Sequence, residues 1–260
     1  MANLDALASM KYSGRSIIAG MTPTGDLYVA YSLTGRSPPS QAREFAQGET
    51  TGTIRTKVTD PNILGQGSPA LLLYPAVVPV RDALIATNGA QTKLVYSAAQ
   101  RRFNDLDWLH PQEILRDAFK EPFFEYDEKE DRWIDLTTYE PDAPNCTPRI
   151  SACVLNSWAA LHIVWNNAGQ KKQAIYPVDL QRGQGKLLAT YQGGNEKPLL
   201  PFTGAPGDIA ITEKSAQDIA EAVYAALRSG QENYRVSTAV AVLRAGTLET
   251  ALIDRSKRGE

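Results

Sequence analysis

An α+β protein built mostly from antiparallel sheets is what this 260-residue sequence predicts. Three observations predict it. Strand-like segments rich in β-branched and aromatic residues recur with short turn signals between them. Helical periodicity is confined to a few segments, and strands and helices never alternate as repeated strand-helix-strand units. No internal repeat or Gly/Ser-rich linker divides the chain, so one domain over 1–260 is expected, with 1–11 a weak helix or flexible N-terminal segment.

The first strands fall at 16–21 and 27–33. Thr22-Pro23-Thr24-Gly25-Asp26 joins them as a type I turn, with proline second and a left-handed glycine fourth. That turn pairs Thr22 with Asp26 and so sets Arg15 opposite Leu33. Residues 38–51 are polar, contain Pro38 and Pro39, and read as a loop. Strands follow at 52–58, 70–80 and 83–87, the last two forming a hairpin at Arg81-Asp82. Residues 92–103 read as a helix with Leu94, Val95, Ala98 and Ala99 on one face. Residues 111–120 form a better-marked helix. Pro111 suits its first turn, Glu113 favours its N-terminal end, and Ile114, Leu115, Ala118 and Phe119 make its apolar stripe. The acidic run 125–131 reads as solvated.

Tyr139-Glu140-Pro141-Asp142-Ala143-Pro144-Asn145-Cys146-Thr147-Pro148-Arg149-Ile150 is a polar loop stiffened by three prolines and feeding a core strand at 149–155. Strands then recur at 160–165, 172–178 and 187–192, with Asn167-Ala168-Gly169 turning the first pair. Residues 215–227 are the clearest helix. Ser215 caps it, Ile219, Val223, Ala226 and Leu227 face inward, and Gly230 terminates it. The last strands are 234–243 and 248–253. In the former, Val236, Thr238, Val240 and Val242 alternate with small residues, as between two apolar layers.

Composition narrows the function. Hydrophobic residues make up 43% and charged residues 22%, as in an ordinary globular protein. A net charge of -2 gives no global attraction to nucleic acid or anionic membranes, so an anion site must be local. No run is long and apolar enough to span a bilayer, and the N-terminus lacks a secretory signal, so a cytoplasmic protein is expected. Two cysteines and two histidines lack zinc-site spacing. Cys146 and Cys153 read as free thiols, Cys153 in the core. His110 and His162 read as structural, and no Ser-His-Asp or Cys-His set exists. Gly183-Gln184-Gly185 and Gly193-Gly194 make no phosphate loop.

The candidate chemistry sits elsewhere. Gly-Arg-Ser occurs at 14–16 and 35–37, which brings Arg15 and Arg36 to one end of the first hairpin. They are either two surface arginines at a strand end or an anion site, since two close guanidiniums repel unless a carboxylate or phosphate sits between them and arginine grips phosphate with two parallel hydrogen bonds. Asn88-Gly89 ends a strand and offers an amide and backbone N–H groups, or simply a turn. Tyr74 interrupts an apolar run, either as a core phenol or as a pocket donor. Glu140 suits proton transfer if partly desolvated, or forms a structural ion pair with Arg149.

Taken in order, Tyr12-Ser13-Gly14-Arg15 with the hairpin through Tyr31, Gly35-Arg36-Ser37, Tyr74, Asn88-Gly89 and the loop from Tyr139-Glu140 to Thr147-Pro148-Arg149-Ile150 resemble the archaeal-type IMP cyclohydrolase family. Thr190-Tyr191 matches more weakly. The resemblance implies a four-layer αββα sandwich similar to that of N-terminal nucleophile hydrolases, without an N-terminal nucleophile; Ala2 after Met1 is consistent with that. It implies closure of the purine ring of 5-formamidoimidazole-4-carboxamide ribotide to IMP, with no organic cofactor and no metal. It assigns Glu140, Tyr74 and Arg36 to catalysis, and Arg15, Arg43, Asn88, Gly89, Asn145 and Arg149 to substrate binding. The partner is a small nucleotide, and a homo-oligomer is expected. The sequence departs from the family pattern in a longer segment between Asn88 and Tyr139, in Cys146 beside Asn145, and in Gln41 and Arg43 competing for one family arginine position. The rival functions are a processed amide hydrolase of the same fold and a non-catalytic purine-nucleotide-binding protein.

Overall fold

The computed structural model describes residues 3–66, 72–105, 109–128, 130–228 and 232–259. The elements are α1 (Asp5–Ala8), β1 (Arg15–Met21), β2 (Leu27–Thr34), α2 (Pro38–Gln41), β3 (Arg43–Gln47), β4 (Ile54–Val58), a 3-10 turn (Pro61–Gln66), β5 (Pro75–Val80), β6 (Ala83–Thr87), α3 (Thr92–Asp105) and α4 (Pro111–Ala118). The chain continues through β7 (Phe124–Asp127), β8 (Arg132–Asp135), β9 (Arg149–Leu155), β10 (Trp158–Asn167), β11 (Gln170–Asp179), β12 (Gln184–Ala189), β13 (Gly207–Ala210), α5 (Ala216–Ala226), β14 (Arg235–Arg244), β15 (Thr247–Asp254) and α6 (Arg255–Arg258).

A six-stranded sheet runs β13-β12-β1-β2-β14-β15 and a seven-stranded sheet β11-β10-β9-β6-β5-β4-β3. β7 and β8 pair only with each other. Strand neighbours are antiparallel, so the α+β, mostly antiparallel expectation holds. The first hairpin has the predicted register, with Arg15 opposite Leu33, and Thr22 N–H donates to the Asp26 carbonyl across the turn at 2.8 Å.

Three apolar clusters follow from strand alternation. Ile17, Val29, Tyr31 and Leu33 of the six-stranded sheet meet Phe45, Leu84, Ile150 and Leu161 of the seven-stranded one. The opposite face of the seven-stranded sheet, with Ile85, Cys153 and Val164, is covered by Val95 and Ala99 of α3 and Ile114 and Leu115 of α4. The opposite face of the six-stranded sheet, with Ile18, Tyr28, Val240 and Val242, is covered by Ile219, Ala220 and Val223 of α5. Each fully buried Ile or Leu adds about 1.5–3 kcal/mol to folding. β14 therefore serves two clusters, Ala239 and Ala241 on one face and Val240 and Val242 on the other, as alternation predicts, while a register shift between Arg235 and Ser237 turns Val236 to the face of Ala239 and Ala241.

The helix signals also hold. Ser215 Oγ accepts from Asp218 N–H at 3.1 Å and caps α5. His110 caps α4, its Nδ1 accepting from Gln112 N–H at 3.3 Å. That gives one histidine a structural task. His162 is buried against Phe119, with 4.0 Å between ring centroids.

The structure corrects several boundaries. Residues 38–51 hold α2 and β3, not a plain loop. The acidic run is part of a hairpin, β7–β8, whose described residues from 125 to 131 are exposed or half-buried, in keeping with a solvated run. β13 was not foreseen. The N-terminal segment is tied down, since Asn3 pairs with Ala210 and Leu7 is buried under α5. Met1, Ala2, the start of the strand expected at 70, Lys129 and Gly230 lie outside the described residues.

Candidate active site

The loop after β8 returns to the sheet on a framework of hydrogen bonds. Thr147 N–H and Oγ1 both donate to the Asp142 carboxylate, at 2.6 and 2.5 Å, and Glu140 N–H donates to the Thr147 carbonyl at 2.8 Å. Asn88, at the end of β6, ties the loop to the core. Its Nδ2 donates to the Pro148 carbonyl at 2.8 Å, and its Oδ1 accepts from Ile150 N–H at 2.8 Å. Gln91 Nε2 donates to the same Oδ1 at 2.8 Å. Both ends of the Asn88 amide are thus engaged with protein, and Asn88 lines neither recess described below.

This framework presents a buried ion pair. Arg149 Nη1 donates to Glu140 Oε1 at 2.5 Å and to Gln91 Oε1 at 3.0 Å, while its Nε donates to the Thr138 carbonyl at 2.7 Å. Both side chains are almost wholly enclosed. Burial pushes the Glu140 carboxyl above its ordinary value, with Arg149 and Arg15 pulling against it. Burial likewise weakens the hold of Arg149 on its proton, with Glu140 opposing. Gly89 is required by this packing. A Cβ there would stand 2.7 Å from Gln91 Oε1, 2.8 Å from Glu140 Oε1 and 3.0 Å from Arg149 Nη1.

The chain forms two recesses, and Arg15 of one lies close enough to Glu140 and Arg149 for their charges to interact. One, of about 530 Å³, is lined by Arg15, Arg36, Arg43 and Lys197, with Asp142 as its carboxylate, and by Tyr12, Asn145, Thr147, Tyr191 and Tyr234. Gly14 stands between two of its lining residues in sequence, Tyr12 and Arg15. With φ +71° and a would-be Cβ 2.3 Å from Thr190 Oγ1, it lets the chain pass against Thr190-Tyr191. Arg36 lies over the Tyr12 ring at 4.8 Å, and its Nη1 donates to Asn195 Oδ1 at 3.0 Å. Arg43 Nε donates to the Ser40 carbonyl at 3.0 Å. Gln41 instead donates to the Gly35 carbonyl and lines no part of the recess. Arg15 is half-buried as a residue, but its Nε and Nη2 are shielded from solvent and, among the described residues, have no partner. Burial opposes its charge, yet Tyr74, Tyr191, Tyr31 and Glu140 outweigh burial and hold the guanidinium firmly protonated.

The other recess, of about 770 Å³, contains Tyr74, Glu140, Arg149 and Lys93, and is walled by Glu125, Tyr126, Asp127 and Glu128 of the β7–β8 hairpin. Tyr74 and Tyr31 share a hydroxyl contact at 2.9 Å. Of the residues singled out from sequence, then, Arg15, Arg36, Arg43 and Asn145 gather in one recess and Tyr74, Glu140 and Arg149 in the other. Asn88 and Gly89 stand behind them. Sequence reasoning missed Gln91, although it lies two residues after Asn88-Gly89, and missed Asn195, Lys197 and Tyr234, which no local pattern marks. Among the described residues, no three His, Cys, Asp or Glu side chains are placed to hold a metal ion. No described helix is long and apolar enough to cross a membrane.

An antiparallel α+β scaffold with a cationic recess beside a buried carboxylate–guanidinium pair defines a protein built to receive a small anionic ligand. The sequence profile described as IMP cyclohydrolase-like protein matches residues 12–120 and 131–247, and the chain belongs to that family. An IMP cyclohydrolase of Methanococcus maripaludis strain C6 is 23% identical over 212 residues, covering 82% of this chain and 87% of the relative. The IMP cyclohydrolase of strain C7 of that species is 24% identical, covering 71% and 76%. That of Methanococcus aeolicus is 26% identical, covering 70% and 74%.

Proposed function

We propose that this chain is an IMP cyclohydrolase, closing the six-membered ring of 5-formamidoimidazole-4-carboxamide ribotide with loss of water. The observation that carries the reading is Arg15, whose buried guanidinium has two nitrogens without protein partners. A buried cation with open donors is costly unless a ligand completes it, and a phosphate does so well. The 5′-phosphate is assigned to the recess of Arg15, Arg36 and Arg43, which leaves the heterocycle to reach Tyr74 and Glu140.

The chemistry then follows from proton bookkeeping. The carboxamide nitrogen loses a proton as it bonds to the formyl carbon, and the formyl oxygen gains one. The former formamido nitrogen then loses its proton and the hydroxyl gains a second one as the C–O bond breaks and water leaves. Glu140, with its affinity for protons raised by burial, takes and returns these protons. Tyr74 and Arg149 supply donors for the oxygen while it is negatively charged. Holding both reacting groups in one enclosed site supplies a large share of the acceleration.

The reading includes a four-layer αββα arrangement similar to N-terminal nucleophile hydrolases. One apolar cluster between the sheets and one under the helices on each outer face support it. It also carries the expectations of a cytoplasmic enzyme and a homo-oligomer, which fractionation and light scattering check.

A spectrophotometric cyclisation assay with the formylated ribotide, in the presence of a chelator, tests the function. Turnover to IMP is expected. IMP binding without turnover would favour the non-catalytic nucleotide-binding protein, and activity restored only by a divalent metal would contradict the metal-free mechanism.

A further inference from the structure

The family match stops at 120 and resumes at 131, and the unmatched residues form the first strand and tip of the β7–β8 hairpin. This hairpin belongs to neither large sheet. It is pinned to the body at its base, where Leu136 is buried in the cluster beneath α3 and α4, and by an ion pair between Glu125 and Lys93 of α3. The part outside the family match supplies Glu125, Asp127 and Glu128 to the wall of the recess that holds Glu140 and Arg149.

The electrostatic result is a two-ended site. The recess of Arg15 carries four cationic side chains against one carboxylate. The recess under the hairpin carries four carboxylates against Lys93 and Arg149, and both of these cations are paired. Without the hairpin, that second recess would hold Glu140, Arg149 and Lys93, with no excess of negative charge. Like charge brought against a carboxylate wall raises the energy of a bound anion, and the walls of a cleft concentrate that field.

We propose that the β7–β8 hairpin is a charge-selective wall that determines specificity. It rejects ribotides carrying an anionic substituent on the heterocycle and admits those whose ring substituents are neutral amides. This rests on the placement of phosphate and ring proposed above. The substrate class suits such a filter. A ring carboxamide and a ring carboxylate have nearly the same shape, so shape alone discriminates poorly between them, whereas a repelled charge discriminates well. The wall also fixes orientation, because a phosphate entering the hairpin end meets carboxylates and one entering the other end meets arginines.

The test is a pair of near-isosteric competitors, 5-aminoimidazole-4-carboxamide ribotide and 5-aminoimidazole-4-carboxylate ribotide, titrated by calorimetry against the full chain. The readout is the ratio of their dissociation constants within each protein. The wild type should bind the carboxamide more tightly at low salt, and the preference should shrink as salt rises. The combined variant Glu125→Gln, Asp127→Asn, Glu128→Gln should lower the preference about tenfold, since each partly exposed charge is worth only a few-fold. Glu128→Lys provides a second arm, shifting the ratio further towards the carboxylate without depending on the triple variant. A ratio unchanged in both variants would overturn the filter while leaving the site intact. Failure of the wild type to bind IMP or either ribotide would overturn the reading of the site and the filter with it.

Discussion

The two recesses differ in how they are held, and the difference separates binding from chemistry. The cationic recess collects residues from far along the chain: Arg15 and Arg36 flank the first hairpin, Arg43 begins β3, and Asn195 and Lys197 lie in a late loop. The buried guanidinium of Arg15 keeps open donors, a geometry that waits for a ligand. The second recess is built around one framework, with Asn88, Gln91, Arg149 and Glu140 linked by hydrogen bonds and Gly89 packed closely against them. Its polar groups satisfy one another before any ligand arrives. An unsatisfied recess gains most from binding, and a pre-satisfied one holds groups in fixed geometry for proton transfer.

The largest break in this comparison should come from Glu140→Gln. The amide cannot exchange protons as the carboxyl does, so kcat should fall about 10²–10⁴-fold. Because Glu140 also pairs with buried Arg149, stability should drop as well, by about 1–3 kcal/mol with glutamine still offering an acceptor. Chemical denaturation beside steady-state kinetics separates the two effects. Near-normal kcat with lowered stability would leave Glu140 as a structural partner only.

Gly89→Ala should come next. The added methyl collides with Gln91, Glu140 and Arg149, and displacing the pair by a fraction of an ångström should lower kcat about 10–100-fold. Unchanged kinetics would show that the framework does not set the geometry.

Arg15→Lys acts on the other recess. It keeps the charge and loses the fork, so IMP affinity should weaken by about 1.5–3 kcal/mol by calorimetry. An unaltered affinity would remove Arg15 from the ligand site.

A prediction on stability rather than on activity concerns neither recess. Burial lowers the His162 pKa from 6.5 to about 4. A base with a depressed folded-state pKa stabilises the fold above its unfolded pKa, and that stability is lost as pH falls from about 6.5 to about 4. The loss is about 3 kcal/mol. Denaturant titrations at pH 7 and pH 4 should show His162→Gln losing less stability between them than the wild type, and equal losses would refute the assignment.

The sequence was most legible where local chemistry matched the final environment. Pro23 and Gly25 fixed a turn, the turn fixed register, and register placed Arg15 opposite Leu33 as observed. Pro111, Ser215 and the apolar stripes located α4 and α5 for the same reason. β3 was hidden because its inward residues are Arg43 and Phe45, and a buried arginine beside Pro38-Pro39 reads as loop. β7 and β8 were hidden because a half-exposed ribbon lacks clean alternation, and β13 because it is four residues of an edge strand with a glycine. In the site, the resemblance and the proline-stiffened loop drew attention to Glu140 and Arg149, and the ion pair left open from sequence is present. Asn195 was not legible, since its contact with Arg36 spans 159 positions and depends on the assembled fold.

Full steady-state kinetics of Arg36→Lys and Glu140→Gln on the formylated ribotide test the division of labour most directly. The account predicts a raised KM with kcat largely kept for Arg36→Lys, and a lowered kcat with KM largely kept for Glu140→Gln. The reverse pattern, or the same pattern in both variants, would contradict it.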